Sequence, residues 1–71
     1  MTNYIEHSVV YYHQHRIEVS HYYNWGCCAV VLDADGNRIH KDDSHRTYDI
    51  VLHFAKQAID NSVATKKGVL I

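Results

Sequence analysis

AVVLDADGNRI, residues 29–39, decides the fold, because it contains the strongest turn signal in the chain. Asp35 and Gly36 lie between an apolar run and a second short apolar segment, and Asp-Gly is typical of tight hairpin turns. The glycine can adopt the positive φ that such a turn needs. We therefore predict an antiparallel pair of strands at residues 27–32 and 38–41.

Two further strands are predicted upstream of this hairpin. Residues 4–13 are rich in Tyr, Val and Ile and contain no breaker, whereas residues 16–23 alternate between apolar and polar side chains. A turn is expected at residues 14–15, and residues 24–26, Asn-Trp-Gly, predict a second turn. The continuously apolar run after that turn is typical of a central strand.

An amphipathic helix is predicted downstream of the hairpin. Residues 42–44, Asp-Asp-Ser, offer capping acceptors and complement the helix dipole. Apolar residues then recur at a spacing of three or four: Tyr48, Val51, Leu52, Ala55, Ile59 and Val63. The helix should end near residues 66–68, Lys-Lys-Gly. Residues 69–71, Val-Leu-Ile, are too apolar for a free tail, and we expect them to contact the sheet edge or a partner.

The predicted fold class is α+β, with an antiparallel sheet of three to four strands packed on one face by a single C-terminal helix. A chain of 71 residues can build only one core, so residues 1–71 are expected to form a single small domain. Domains of this size often gain stability from disulfides, metals or self-association.

Composition favours a cytoplasmic protein. Cys27 and Cys28 are adjacent, and on a strand they would point to opposite faces, so we expect two reduced thiols. The N-terminal residues lack the basic and apolar regions of a signal peptide, and no run approaches the roughly 20 apolar residues of a membrane span. The formal net charge of -1 lacks the basic excess of a phosphate-binding domain.

Two sets of histidines have spacings that could supply metal ligands. His13 and His15 would share a strand face, and His45, Asp49 and His53 are spaced to share a helical face. Neither set supplies three or four converging donors, so we predict no metal site and no cofactor.

Other catalytic and ion-binding patterns are also missing. The Asp33 to Asn37 segment lacks the ligand order of a calcium loop and is interpreted as a turn. The sequence contains no glycine-rich phosphate loop and no nucleophile elbow, and we expect no enzyme activity.

Tyrosines are the most informative side chains for function. Tyr11-Tyr12 and Tyr22-Tyr23 are adjacent pairs within predicted strands, so each pair sends one ring to each face of the sheet. One helix can cover only one face. If the helix covers the side that bears Ile5, Val9, Tyr11, Ile17 and Val19, the other side shows Tyr4, Val10, Tyr12 and Tyr22, with Trp25 at its margin.

Exposed aromatic rings with polar tips are typical of protein interfaces. The predicted partner-binding residues are Tyr4, Tyr12, Tyr22, Trp25 and Arg16. The alternative is that tyrosines simply suit pleated strands and tolerate water at the hydroxyl.

A nucleic-acid-binding module is the second hypothesis, since tyrosines can stack on bases. Residues 29–39, followed by a helix containing Ala55, resemble the central hairpin and helix of AP2-like and phage-integrase arm-binding domains. That resemblance implies DNA binding by the strands. The strands lack the expected excess of Arg and Lys, and Arg16 alone would hold phosphate poorly.

In size, complete folding, a bare sheet face and lack of catalytic residues, the chain resembles small phage-encoded inhibitors of host defence, notably anti-CRISPR proteins. This resemblance of type implies a non-enzymatic viral inhibitor or regulator in the host cytoplasm. It would cover a surface of a protein or ribonucleoprotein target. A homodimer whose tyrosine faces bury each other is a further alternative.

Overall fold

The computed structural model describes residues 4–66, and it describes the side-chain environments of residues 6–64. Four strands precede one helix: β1 (Tyr4–Tyr12), β2 (His15–Tyr22), β3 (Gly26–Leu32), β4 (Arg38–Arg46) and α1 (Tyr48–Lys66). The predicted contacts of residues 69–71 lie outside the described residues.

The strands form one antiparallel sheet in the order β1-β2-β3-β4, which confirms the predicted α+β class. The predicted hairpin joins β3 to β4. The carboxylate of Asp33 accepts hydrogen bonds from the amides of Asp35 and Asn37, and Gly36 has a φ of 87°. This side-chain and backbone bonding defines a turn, as the sequence indicated.

Helix α1 packs on β2, β3 and β4 and covers one face of the sheet. The buried apolar core consists of Ile17, Val19, Cys27, Ala29, Val31, Val51, Ala55 and Ile59. Three of these residues belong to the predicted helical stripe, and Leu52 and Val63 of the same stripe pack beside them. Within the described part of the chain, no helix is both long and apolar enough to cross a bilayer.

The two faces of β1 are reversed relative to the prediction. His13 and Gln14 both have positive φ, as in a type I′ turn, and they leave Tyr12 paired with His15. Such a two-residue turn pairs even positions of β1 with odd positions of β2. The assignment of Val10 and Tyr12 to the uncovered face is therefore wrong, because both pack against the core, whereas Val9 and Tyr11 face away from the helix.

The predicted helix start is also wrong. Residues 42–44 belong to β4, and the helix begins at Tyr48, where the carbonyl of Thr47 accepts hydrogen bonds from the amides of Ile50 and Val51. Asp42 instead accepts hydrogen bonds from the amide and hydroxyl of Ser44. A carboxylate of the Asp-Asp-Ser segment therefore accepts hydrogen bonds within an irregular part of the strand, as a capping side chain does at the start of a helix.

Tyr12 joins the first hairpin to the helix. Its hydroxyl donates to Oδ1 of Asp60 at 3.0 Å, and Nζ of Lys56 lies 5.3 Å from the centre of its ring. The hydrogen bond to the Asp60 carboxylate, with burial and the negative charge, raises the pKa of Tyr12. The bond's contribution to stability is therefore present below the ordinary tyrosine pKa and is lost as the pH rises through the folded-state pKa.

Two glycines with positive φ differ in their surroundings. Gly26 (φ 84°) lies so close to β4 that an added Cβ would be 2.3 Å from the carbonyl oxygen of His45, whereas a Cβ on Gly36 (φ 87°) would meet nothing within 4 Å. Only Gly26 therefore permits a close approach of two backbones.

We expect Gly36→Ala to lower the free energy of unfolding by about 1–2 kcal/mol, because only the left-handed conformation is strained. Gly26→Ala should lower it by roughly 2–5 kcal/mol, because a backbone clash is added to the same strain. Urea denaturation measures both. Equal losses in the free energy of unfolding would show that the close contact between Gly26 and β4 does not add to the cost of the substitution.

We expect Asp60→Ala to lower the pKa of Tyr12 toward its ordinary value, because the acceptor and its charge are removed together. The pH titration of the Tyr12 ring-carbon chemical shift measures this pKa. Asp49→Ala is the matched control, since it removes the same charge from the same helix. Equal shifts in the two variants would attribute the raised pKa to net charge rather than to the Tyr12–Asp60 contact.

Candidate functional site

The side of the sheet that no described residue covers is the candidate binding surface, and we call it the open face. The register places the following side chains on it: His7, Val9, Tyr11, Arg16, Glu18, Ser20, Tyr22, Cys28, Val30, Leu32, Arg38 and Lys41. Val30 and Leu32 on the central strand are half-buried by their neighbours, and Tyr11 on the edge strand is 70% exposed. The open face therefore combines an apolar centre with polar and aromatic side chains around it.

Two of the cations on the open face are already paired. Nε of Arg16 lies 2.8 Å from the Glu18 carboxylate, and Nζ of Lys41 lies 3.3 Å from the Asp43 carboxylate. These pairs are partly exposed and contribute little to stability. They do, however, neutralise much of the positive charge that a phosphate backbone would need.

One end of the open face carries a cluster of three rings, Tyr22, Trp25 and His45, which we call the aromatic corner. The ring centres of Tyr22 and Trp25 are 6.2 Å apart, and those of Tyr22 and His45 are 6.4 Å apart. Trp25 and His45 meet edge to face with centres 6.2 Å apart. These distances are those of favourable aromatic packing, and Trp25 nevertheless remains 56% exposed.

A tight turn positions Trp25. The amide of Trp25 donates to the carbonyl of Tyr22 at 3.1 Å, and Asn24 has a φ of 67°. Asparagine tolerates this left-handed conformation better than most residues. The turn therefore brings the indole back beside the ring of Tyr22 at the end of β2.

A bulge in β4 positions His45. Ala29 pairs with Asp42 and Cys27 pairs with Arg46, so β4 carries two residues more than β3 over this stretch. His45 has a φ of 58°, and the hydrogen bonds from Ser44 to Asp42 hold the bulge together. The Ser44 hydroxyl also keeps the pKa of the Asp42 carboxyl below its usual value.

Cys28 lies beneath the aromatic corner. Its Sγ is 3.7 Å from Nδ1 and 3.9 Å from Nε2 of His45. The sulfur is thus nearly equidistant from both ring nitrogens and points directly at neither. Burial, followed by the charges of Asp43 and Asp42, raises the pKa of the Cys28 thiol. The arrangement favours a protonated thiol of low nucleophilicity.

The histidines do not form the expected face. His45 lies on β4 rather than on the helix, so the predicted grouping of His45, Asp49 and His53 is wrong. His15 is buried, and its Nδ1 donates to the carbonyl of His13. Among the residues that the structure describes, no group of three or more His, Cys, Asp or Glu side chains is placed to hold a metal ion.

The predicted binding residues divide into three groups. Tyr22 and Trp25 are brought together, and Tyr4 pairs with Tyr22 across the strands, although its side chain lies outside the described environments. Arg16 lies on the open face at the end opposite the aromatic corner, in the register row of Tyr11 and Leu32. Tyr12 lies on the helix side and does not contribute to this face.

Sequence reasoning missed His45 and Tyr11 as residues of this surface. Tyr11 would have been found from the turn length, because any two-residue turn before β2 pairs odd positions of β1 with even positions of β2. His45 depends on a bulge and a left-handed backbone. The only local sequence signal for the bulge and the left-handed residue was Asp42-Asp43-Ser44, and such acceptor side chains are found both at strand irregularities and at helix caps.

Comparison with known proteins gives no family for this arrangement. No family model, no curated protein and no solved structure matches the chain.

Proposed function

We propose that this chain is a non-enzymatic binding protein, an inhibitor or regulator that covers a surface of a protein or ribonucleoprotein target with its open face. The aromatic corner carries the proposal. Trp25 is more than half exposed although Tyr22 and His45 already support it on one side. A supported but exposed indole loses little side-chain entropy on binding and offers a large area to a partner.

The rest of the open face fits the same role. Half-buried Val30 and Leu32 form an apolar centre, and Tyr11 on β1 lies in the register row of Leu32 with Arg16 between them. Charged side chains from β2 and β4 surround this centre. Interfaces between proteins have a similar arrangement, with an apolar and aromatic centre inside a polar rim.

The chemistry of the face favours binding over catalysis. The most reactive side chain there is Cys28, and its raised pKa favours the thiol over the nucleophilic thiolate. A small domain of this kind can affect a larger target by occupying a surface that the target needs. That mode of action fits an inhibitor or regulator.

A protein surface suits the open face better than bare nucleic acid does. Stacking on Tyr22 and Trp25 is available to bases, but Arg16 and Lys41 already neutralise carboxylates on the same chain. Nucleic-acid binding depends on cations that displace counterions from phosphates. We therefore assign the aromatic corner to a protein contact.

We expect Trp25→Ala to weaken target binding by about 30-fold or more, because truncation of a central aromatic anchor commonly costs at least about 2 kcal/mol. The target is first captured from the native host and identified by mass spectrometry, and its affinity is then measured by titration calorimetry. Tyr22→Ala should weaken binding in the same direction, since it removes the support of the indole.

Phe54→Ala is the matched control, because Phe54 is a similarly exposed aromatic on the helix. It should leave the affinity unchanged. Full affinity of the Trp25 variant together with a loss in the Phe54 variant would move the contact surface to the helix side and overturn the proposal.

Salt dependence distinguishes the two classes of partner. A protein contact centred on aromatic rings should weaken only slightly between 50 and 200 mM salt, whereas a contact with many phosphates loses about 10³-fold or more over this range. The captured target is titrated at both salt concentrations, before and after nuclease treatment. A steep salt response that nuclease abolishes would assign the face to nucleic acid instead.

A further inference from the structure

The three rings of the aromatic corner are almost equally spaced. Their centres are 6.2, 6.4 and 6.2 Å apart, so they form a nearly equilateral triangle. The centre of such a triangle lies one side divided by the square root of three from every corner, which is about 3.6 Å from each ring centre here. A cation about 3 Å above that point is about 5 Å from all three ring centres, and cations are attracted to aromatic faces within about 6 Å.

The rings of the corner are inclined to one another rather than stacked. The planes of Trp25 and His45 meet at 89°, and Tyr22 is inclined by 40° to Trp25 and by 55° to His45. No pair of these rings is parallel, so none covers the whole face of another. His45 is exposed, and the indole of Trp25 is 56% exposed. The corner can therefore present aromatic surface to a group that approaches from solvent.

The charges around the corner favour a cation. Burial, and then the carboxylates of Asp43 and Asp42, raise the pKa of the Cys28 thiol beneath the rings, and the opposing effect of Lys41 is smaller. The carboxylates thus outweigh Lys41 at this position, although Lys41 forms an ion pair with Asp43. The faces of aromatic rings are negative as well. An anionic group would be repelled by both.

The cations of the described residues are directed elsewhere. Nζ of Lys56 lies over the ring of Tyr12, which packs on the helix side of the sheet. Arg46 follows His45 directly in the sequence, but it pairs with Cys27 of the core and so belongs to the helix side as well. Among residues 6–64, no cation lies over the indole of the corner. A cation for this position is therefore expected from another molecule.

We propose that the aromatic corner binds an arginine side chain of the target, with the guanidinium over Trp25, between Tyr22 and His45, and with its charge near the Asp43 carboxylate. The inference rests on the proposed function, because it names the group that the open face recognises on its partner. Arginine suits the corner better than lysine does, because a planar guanidinium stacks on aromatic rings while its edge donates to a carboxylate. Asp43 has acceptor capacity for this, since Lys41 lies against one of its two carboxylate oxygens, Oδ2.

A charged and an uncharged probe of the same shape test the preference for a cation. Trp25 is the only tryptophan of the chain, so the NMR signal of its indole Nε1–H reports on the corner alone. Titration with N-acetyl-arginine methylamide should shift this signal saturably in the millimolar range. N-acetyl-citrulline methylamide has nearly the same shape without the charge, and it should bind at least about tenfold more weakly.

Equal binding of the arginine and citrulline probes overturns the proposal, because the corner would then recognise shape alone. N-acetyl-lysine methylamide is titrated in the same way. If it binds as tightly as the arginine probe, the assignment to arginine is overturned, since an ammonium ion would serve equally well.

Two variants test the residues that support the guanidinium. His45→Asn removes one ring, and asparagine tolerates the left-handed backbone at this position, where φ is 58°. Asp43→Asn removes the carboxylate charge. Each should weaken binding of the arginine probe by about threefold or more. Asp35→Asn is the matched control, because it makes the same change at an exposed residue in the turn before β4, and it should leave binding unchanged.

Amide spectra establish that each variant is folded. Unchanged binding in both the His45 and the Asp43 variants overturns the proposal. An equal loss in the Asp35 variant also overturns it, because the effect would then belong to net charge rather than to the corner.

The identified target provides the last comparison. Trp25→Phe should retain more affinity than Trp25→Leu, since phenylalanine keeps a ring face and leucine keeps only apolar bulk. Equal losses overturn the arginine contact. If the arginine probe fails to bind while Trp25→Ala still weakens the target, this inference fails and the proposed function stands. If the probe binds as expected while Trp25→Ala leaves the target affinity unchanged, the proposed function fails and the preference of the corner for a guanidinium stands.

Discussion

One helix has to cover a sheet of four strands, and the structure of the whole chain depends on where that helix lies. Val51, Ala55 and Ile59 pack on β2 and β3 and are fully buried. The helix also meets β1 at Tyr12, whose hydroxyl donates to Asp60, but it lies on one face of the sheet alone. Within residues 4–66, this arrangement leaves two kinds of surface uncovered, a broad sheet face and a strand edge. These surfaces make different contacts, since the face offers side chains and the edge offers backbone groups.

Backbone irregularities, rather than long stretches of regular structure, position the exposed aromatic rings. Four residues other than glycine have positive φ: His13, Gln14, Asn24 and His45, among the described residues. Left-handed backbone costs about 1–2 kcal/mol at an ordinary residue, so the surrounding sheet must stabilise each of these conformations. At residues 24 and 45 the result is the aromatic corner. A loop without the neighbouring strands would not hold Trp25 and His45 at this distance.

The sequence predicted the elements more reliably than their faces. Alternation in β2, the apolar run of β3, the Asp-Gly turn and the helical stripe each have a direct physical cause, and all four were found in the structure. The face of β1 was assigned wrongly because strand alternation alone does not state how a turn relates two strands. The predicted two-residue turn would have supplied that relation, because a turn of this length pairs even positions of β1 with odd positions of β2 whatever its residues are.

The candidate site was predictable only in part, for a related reason. Tyr22 and Trp25 are close in sequence, and a turn was expected between them, so their proximity follows from local chemistry. His45 is distant in sequence and reaches the corner through a bulge. Its position depends on the approach of Gly26 to the β4 backbone, which is a tertiary contact. Sequence patterns with periods of two or 3.6 residues contain no information on such contacts.

The two extra residues of the β4 bulge have a consequence for how this sequence can change. Although β4 has two more residues than β3 over this stretch, Arg46 still pairs with Cys27, and residues that pair across strands face the same side of the sheet. Cys27 belongs to the core, so the chain leaves β4 beside the face that the helix covers. Bulges can absorb extra residues in one strand, and a change of length in this segment is therefore compatible with the fold as long as the pairing of Arg46 with Cys27 is kept.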